Sequence, residues 1–89
     1  MEYYTINNEV SFVIDGDKLV VLSFDTGDYY IVEGVCMEII LSVDKSPKNF
    51  SELFCEIKEK YDDGEYDLEK SLKLALDSLI DISLITLSL

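Results

Sequence analysis

The chain has 89 residues, 48% of them hydrophobic, and a net charge of −12. That length suits one domain with one modest core, burying roughly 60–65% of the unfolded surface, and the apolar content excludes a disordered tail. All seven basic residues are lysines, with no arginine or histidine. A polyanion would meet general repulsion without the bidentate contacts of arginine, so no nucleic-acid partner is expected.

The first ten residues, MEYYTINNEV, have neither a basic stretch nor an apolar run, so no signal peptide is expected. Val10, Phe12 and Ile14 then alternate with Ser11, Val13 and Asp15, the period of two of a strand. Asp15-Gly16-Asp17 is a tight turn in which glycine supplies a positive φ. Residues 18–24, KLVVLSF, are apolar on both faces at their centre, as a middle strand should be. Asp25-Thr26-Gly27-Asp28 turns the chain again into a short third strand, residues 29–32, YYIV. The result is an antiparallel three-stranded meander over residues 9–32.

Glu33-Gly34 breaks the strand period, and a helix over 35–43 follows with Val35, Cys36, Ile39, Ile40 and Val43 on one face. A second helix spans 50–61. Asn49 and Glu52 have capping-box spacing at its start, and Phe50, Leu53, Phe54, Ile57 and Tyr61 form its apolar stripe. The acidic stretch DDGEYD ends it, and Asp67 caps a third helix over 68–81, with Leu68, Leu72, Ala75, Leu76 and Leu79 inward. The tail ISLITLSL either forms a short strand or simply packs. Strands followed by helices give an α+β class, with a winged-helix-like arrangement of three strands and three helices.

No apolar run reaches the roughly 18 residues of a membrane span, so no membrane partner and a cytoplasmic location are expected. Cys36 and Cys55 lack CxxC spacing and sit in apolar helical contexts. Buried, reduced thiols follow, with no metal site. There is no histidine, no glycine-rich phosphate loop and no activated nucleophile, so the residues point to neither an enzyme nor a cofactor.

Four pieces, FDTGDYY, VCMEIILSV, NFSELFCEIKEKYD and DLEKSLKLALDSLIDISLI, stand in an order that resembles the PqqD-like family. These are the recognition elements of ribosomally made, post-translationally modified peptide pathways, and the likeness covers residues 10–85. Three positions depart from the family pattern: Glu33-Gly34 replaces an Asn-Pro-type turn, Cys36 a small residue, and Asn49 a threonine cap. The resemblance implies a single leader-binding domain over residues 1–89. Such a module takes the N-terminal leader of a precursor peptide as an added strand and delivers it to maturation enzymes. Free-standing copies of this length resemble the leader-binding protein of lasso-peptide biosynthesis, whose partner is a separate leader protease. A chaperone of a radical-enzyme pathway and a small winged-helix regulator are the alternatives. The regulator is opposed by the charge of the third helix, where Lys70 and Lys73 face Glu69, Asp77 and Asp81.

On this reading the peptide lies along Asp28, Tyr29, Tyr30, Ile31 and Val32. One pair of alternate side chains, Tyr29 and Ile31 or Tyr30 and Val32, faces the helices; the sequence leaves open which. Glu69, Lys73, Leu76 and Ile80 share one flank of the third helix, with Asp77 just beyond, as the second wall. The same residues also fit an ordinary fold, with tyrosines chosen for β-propensity, Leu76 in the core, and Glu69–Lys73–Asp77 as solvated i,i+4 pairs. The protein is a monomer or, through its apolar tail, a weak or swapped dimer.

Overall fold

The structure, a computed structural model, describes residues 2–61 and 67–88. Strands β2 (Val10–Asp15), β3 (Lys18–Ser23) and β4 (Tyr29–Glu33) form an antiparallel sheet in the order β2-β3-β4, as the alternation and turns predict. Gly16, with φ of 62°, sits in the first turn. In the second, the Gly27 amide donates to the Ser23 carbonyl (2.9 Å) and the Asp28 amide to the Thr26 hydroxyl (3.2 Å).

Helices α1 (Val35–Lys45), α2 (Phe50–Tyr61) and α3 (Leu68–Asp81) follow. The latter two have the expected bounds; α1 runs two residues beyond its apolar face, to Lys45. The capping box of α2 is complete. The Glu52 amide donates to Asn49 Oδ1 (2.8 Å) and the Asn49 amide to Glu52 Oε1 (3.0 Å), so two otherwise orphan donors are satisfied reciprocally. Asp67 caps α3, accepting from the Lys70 amide at 3.2 Å. The acidic stretch read as the end of the second helix, 62–67, lies outside the described residues except for Asp67.

Two further strands, β1 (Tyr3–Ile6) and β5 (Ile85–Ser88), pair antiparallel with each other, from Tyr3 opposite Ser88 to Ile6 opposite Ile85. The tail is thus a strand, and its partner is the start of the chain. The other side of β1 bridges to the α1–α2 loop: the Tyr4 amide donates to the Lys48 carbonyl (2.7 Å), and the Lys48 amide donates to the Tyr4 carbonyl (3.1 Å).

The turn from α3 into β5 is a Schellman motif. The Ser83 amide donates to the Ile80 carbonyl (2.9 Å) and the Leu84 amide to the Leu79 carbonyl (3.0 Å), with Ser83 in the left-handed region at φ 62°. Leu79 and Leu84 are both buried, supplying the hydrophobic contact that accompanies this motif.

The core is a continuous cluster. Leu19, Val21 and Val32 come from the sheet; Ile39, Ile40 and Val43 from α1; Leu53 and Ile57 from α2. Leu68, Leu72, Leu76 and Leu79 come from α3, and Leu84 and Ile85 close it. Ser42 is the polar intruder on α1; its hydroxyl donates to Glu56 Oε2 at 2.8 Å, which removes the cost of burying it. The two cysteines differ from expectation: both are free, but Cys55 is exposed. Leu53 and Ile57 define the buried line of α2, and a residue two positions from each points about 200° away. No helix among the described residues is long and apolar enough to cross a membrane.

Candidate functional site

Strand β4 is a border of the sheet: β3 lies on one side, and among the described residues no strand lies beyond it. Its exposure alternates. Tyr30 and Val32 turn inward and Tyr29 and Ile31 outward, the latter pair 69% and 62% exposed. This decides the face that periodicity alone leaves open.

The hydrogen-bond phase decides which backbone groups face the open side. The Ser23 amide donates to the Asp28 carbonyl at 2.9 Å, so these residues form a hydrogen-bonded pair. In an antiparallel ladder such pairs alternate, and the register Leu22–Tyr29, Val21–Tyr30, Val20–Ile31, Leu19–Val32 carries the phase forward. Tyr30 and Val32 therefore direct their N–H and C=O at β3. Tyr29, Ile31 and Glu33 direct theirs away from it. The border presents donors and acceptors at every second residue.

Beside this border runs a cleft of about 310 Å³, lined by Tyr30, Ile31, Val32, Glu33 and Cys36 on one side and by Ser78 and Leu79 of α3 and Ile82 at its C-cap on the other. Gly34 makes the near wall possible. Its φ of 65° and ψ of −137° lie where only glycine enters at low cost. The chain thereby passes from the last residue of β4 directly into α1, bringing Cys36 to the cleft. Half-burial pushes the Cys36 thiol above its ordinary pKa, so it stays neutral and behaves as apolar wall.

The structure brings Tyr30, Ile31 and Val32 together with α3, but with a different flank of that helix from the one read out of the sequence. Leu76 is 1% exposed, within the core, and Ile80 is half-buried against it. Glu69 and Lys73 pair with each other at 3.5 Å, and the Lys73 ammonium lies 5.6 Å from the centre of the Phe50 ring, toward α2. They border a separate shallow depression with Asp67, Lys70 and Leu74. Asp77 acts on Tyr4 of β1, whose phenol is pushed up by burial first, then by the charges of Glu2 and Asp77. Asp28 is exposed at the start of β4.

The cleft residues that sequence reasoning missed on α3 and at its C-cap are Ser78, Leu79 and Ile82. A core stripe on a helix has two flanks. Ser71, Ala75, Ser78 and Ile82, spaced i, i+4, i+7 and i+11, mark the second one; the small size of the first three is the signal for a close approach of another element. The assembled site consists of backbone donors and acceptors beside apolar walls, with Asp28 and Glu33 at its two ends.

No protein-family model matches the chain, and no curated protein matches it in sequence. In structure it is similar to TbiB1 in complex with the TbiA(beta) leader peptide, with a TM-score of 0.77 and 24% identity, over 91% of this chain and 93% of that one. The two proteins share a fold.

Proposed function

We propose that this protein binds the leader segment of a ribosomally made precursor peptide as an added strand along β4, and hands it to a processing enzyme. A leader protease of lasso-peptide type is the partner this reading favours. One observation carries it: the β4 border is open beside an apolar cleft, while the chain's own tail, the nearest candidate to seal it, is engaged by β1. An open strand border gains a ladder of hydrogen bonds from any extended chain, and flanking pockets select among chains. The fold shared with TbiB1, a protein solved with a leader peptide, supports the same reading, as does the charge of −12, which steers a cationic peptide inward.

The test is amide hydrogen exchange with and without a synthetic leader, taken from a precursor encoded beside this chain. The amides of Tyr29, Ile31 and Glu33 should gain protection on binding, at a Kd near micromolar or better, about −8 kcal/mol. Those of Tyr30 and Val32, already in the ladder, should change little. Protection appearing elsewhere, with the β4 border unchanged, would overturn the proposal.

A further inference from the structure

On the outer face of the three-stranded sheet, directly opposed residues line up in rows. One is Ser11, Leu22 and Tyr29; the next is Val13, Val20 and Ile31; the last is Asp15, Lys18 and Glu33. The middle row is apolar throughout. The last alternates acid, base, acid. Opposed side chains in an antiparallel sheet stand about 4.5–5.5 Å apart at Cβ, near enough that unlike charges are favoured and like charges are not.

Glu33 ends its row at the open border, exposed and facing outward. Lys18 stands between two acids in the row, which therefore keeps a net negative charge. Any strand added beyond β4 places one residue opposite Glu33 and one opposite Ile31. Between them, a third falls opposite Val32, which turns inward beside the cleft walls Leu79 and Ile82. An antiparallel guest continues the meander and puts its residues in direct opposition.

We infer that the peptide taken up at β4 carries a three-residue signature. Read from its N-terminus, it has a lysine or arginine opposite Glu33, an apolar side chain opposite Val32 that enters the cleft, and a β-branched or aromatic residue opposite Ile31. Glu33 is then the residue that sets register. Backbone pairing alone permits the guest to slide by two residues without changing its faces; a charged row at one end of the strand removes that freedom. The inference rests on the β4 reading above and adds the chemistry of the guest.

The experiment is selection from a display library of random segments of about ten residues, on four proteins: the natural chain, Glu33→Lys, Asp17→Lys and Ile31→Pro. Segments selected on the natural chain should carry a basic residue at a fixed position, immediately before an apolar one. On Glu33→Lys that position should turn acidic. On Asp17→Lys, which changes net charge equally from a turn away from the border, it should stay basic. Synthetic peptides with matched and mismatched charges should differ by about two- to five-fold in Kd, and the difference should invert on Glu33→Lys. Basic residues at no fixed position, or a preference that survives the Glu33 reversal, overturn the register inference and leave the β4 reading standing. If Ile31→Pro selects the same sequences as the natural chain, the β4 reading itself fails.

Discussion

Among the described residues the sheet has two unpaired borders, and their surroundings differ. Among the described residues no strand lies beyond β2, just as none lies beyond β4, and the cleft beside β2, about 320 Å³, is of nearly the same size. Its lining differs. Around Phe12, Ile14 and Leu41 stand Glu38, Asp44, Lys45, Glu56 and Lys60, with the Lys60 ammonium hydrogen-bonded to Glu38 at 2.6 Å. Among the described residues lining the β4 cleft, Glu33 is the one charged residue, beside Tyr30, Ile31, Val32, Cys36, Leu79 and Ile82.

The backbone phase differs as well. The Phe24 amide donates to the Glu9 carbonyl at 2.7 Å, which sets the groups of Val10, Phe12 and Ile14 facing outward on β2. Those residues put their side chains on the helix face, whereas the outward-facing groups on β4 belong to residues whose side chains point to solvent. A guest on β2 would meet charged side chains held in place by pairing; a guest on β4 meets an apolar slot. Charges along a strand border are a common protection against unwanted pairing. An unpaired strand is therefore not a site by itself; its neighbours decide.

The largest effect should come from removing an edge donor on each side. Ile31→Pro deletes an outward N–H of β4 without touching the ladder to β3, a substitution that border strands tolerate. Binding of a synthetic leader, measured by titration calorimetry, should weaken ten-fold or more, about 1.4 kcal/mol. Ile14→Pro deletes the corresponding donor on β2 and should leave affinity within about two-fold, less than roughly 0.4 kcal/mol. Ile31→Ala controls for the lost side chain. Equal losses from the two proline variants would erase the distinction between the borders.

Next in size is the slot itself. Ile82 is 39% exposed at the α3 wall, so a charge there is affordable to the fold but not to an apolar guest residue. Ile82→Glu should weaken the leader about five- to ten-fold, roughly 1–1.4 kcal/mol, with an unchanged circular dichroism spectrum. Lys60→Glu, on the β2 side, should change affinity no more than a general charge effect does, an effect that added salt removes. A salt-insensitive loss from Lys60→Glu would move the site to the other border.

Legibility in the sequence followed the range of the signal. The meander, the three helices, the Asn49–Glu52 box and the Asp67 cap are local patterns, each complete within about two dozen residues, and each holds in the structure. Strands β1 and β5 are short and pair across nearly the whole chain. Tyr3–Ile6 gives no strong alternation alone, and β5 was readable only as an apolar tail with two possible fates. The site divided along the same line. Tyr30–Val32 as a border strand is local. Which flank of α3 it meets depends on the path through Gly34 and α1, a tertiary fact. Glu69, Lys73 and Asp77 form an evident polar series, and they face α2 and β1 instead.

A smaller effect separates the cleft from the open surface through its two cysteines. The thiolate is the reactive form. Cys36 lines the cleft with its pKa raised by burial, while Cys55 is exposed on α2. An alkylating reagent at pH 8 should modify Cys55 first, and Cys36 should reach full reactivity only at a higher pH than an ordinary thiol near 8.5. Bound leader should slow Cys36 several-fold and leave Cys55 alone, read by peptide mass spectrometry. The raised pKa also sets a sign for stability: the contribution of the neutral, half-buried thiol is complete below the unfolded pKa and is lost as pH rises past it. Leader that protects Cys55 instead would point to the α2 surface.

The smallest expected effect tests why β4 stays open. The tail leaves α3 through Ser83, a non-glycine residue at φ 62°, and Asn7 Nδ2 donates to its carbonyl at 2.6 Å. This directs β5 to β1 and away from β4. Ser83→Gly removes the left-handed strain and should stabilise the fold by about 0.5–1 kcal/mol, raising Tm by roughly 2–8 °C. Gly34→Ala is its mirror: no atom would meet the added Cβ within 4 Å, so any loss, about 1 kcal/mol or more, is conformational. The two differ in what they do to binding. Ser83→Gly keeps the turn and keeps the tail on β1, so leader affinity should not move. Gly34→Ala disturbs the exit from β4 beside Glu33 and Cys36, and affinity should fall along with stability. A gain in leader affinity from Ser83→Gly would mean instead that the tail spends part of its time on the β4 border, competing with the guest for the same donors.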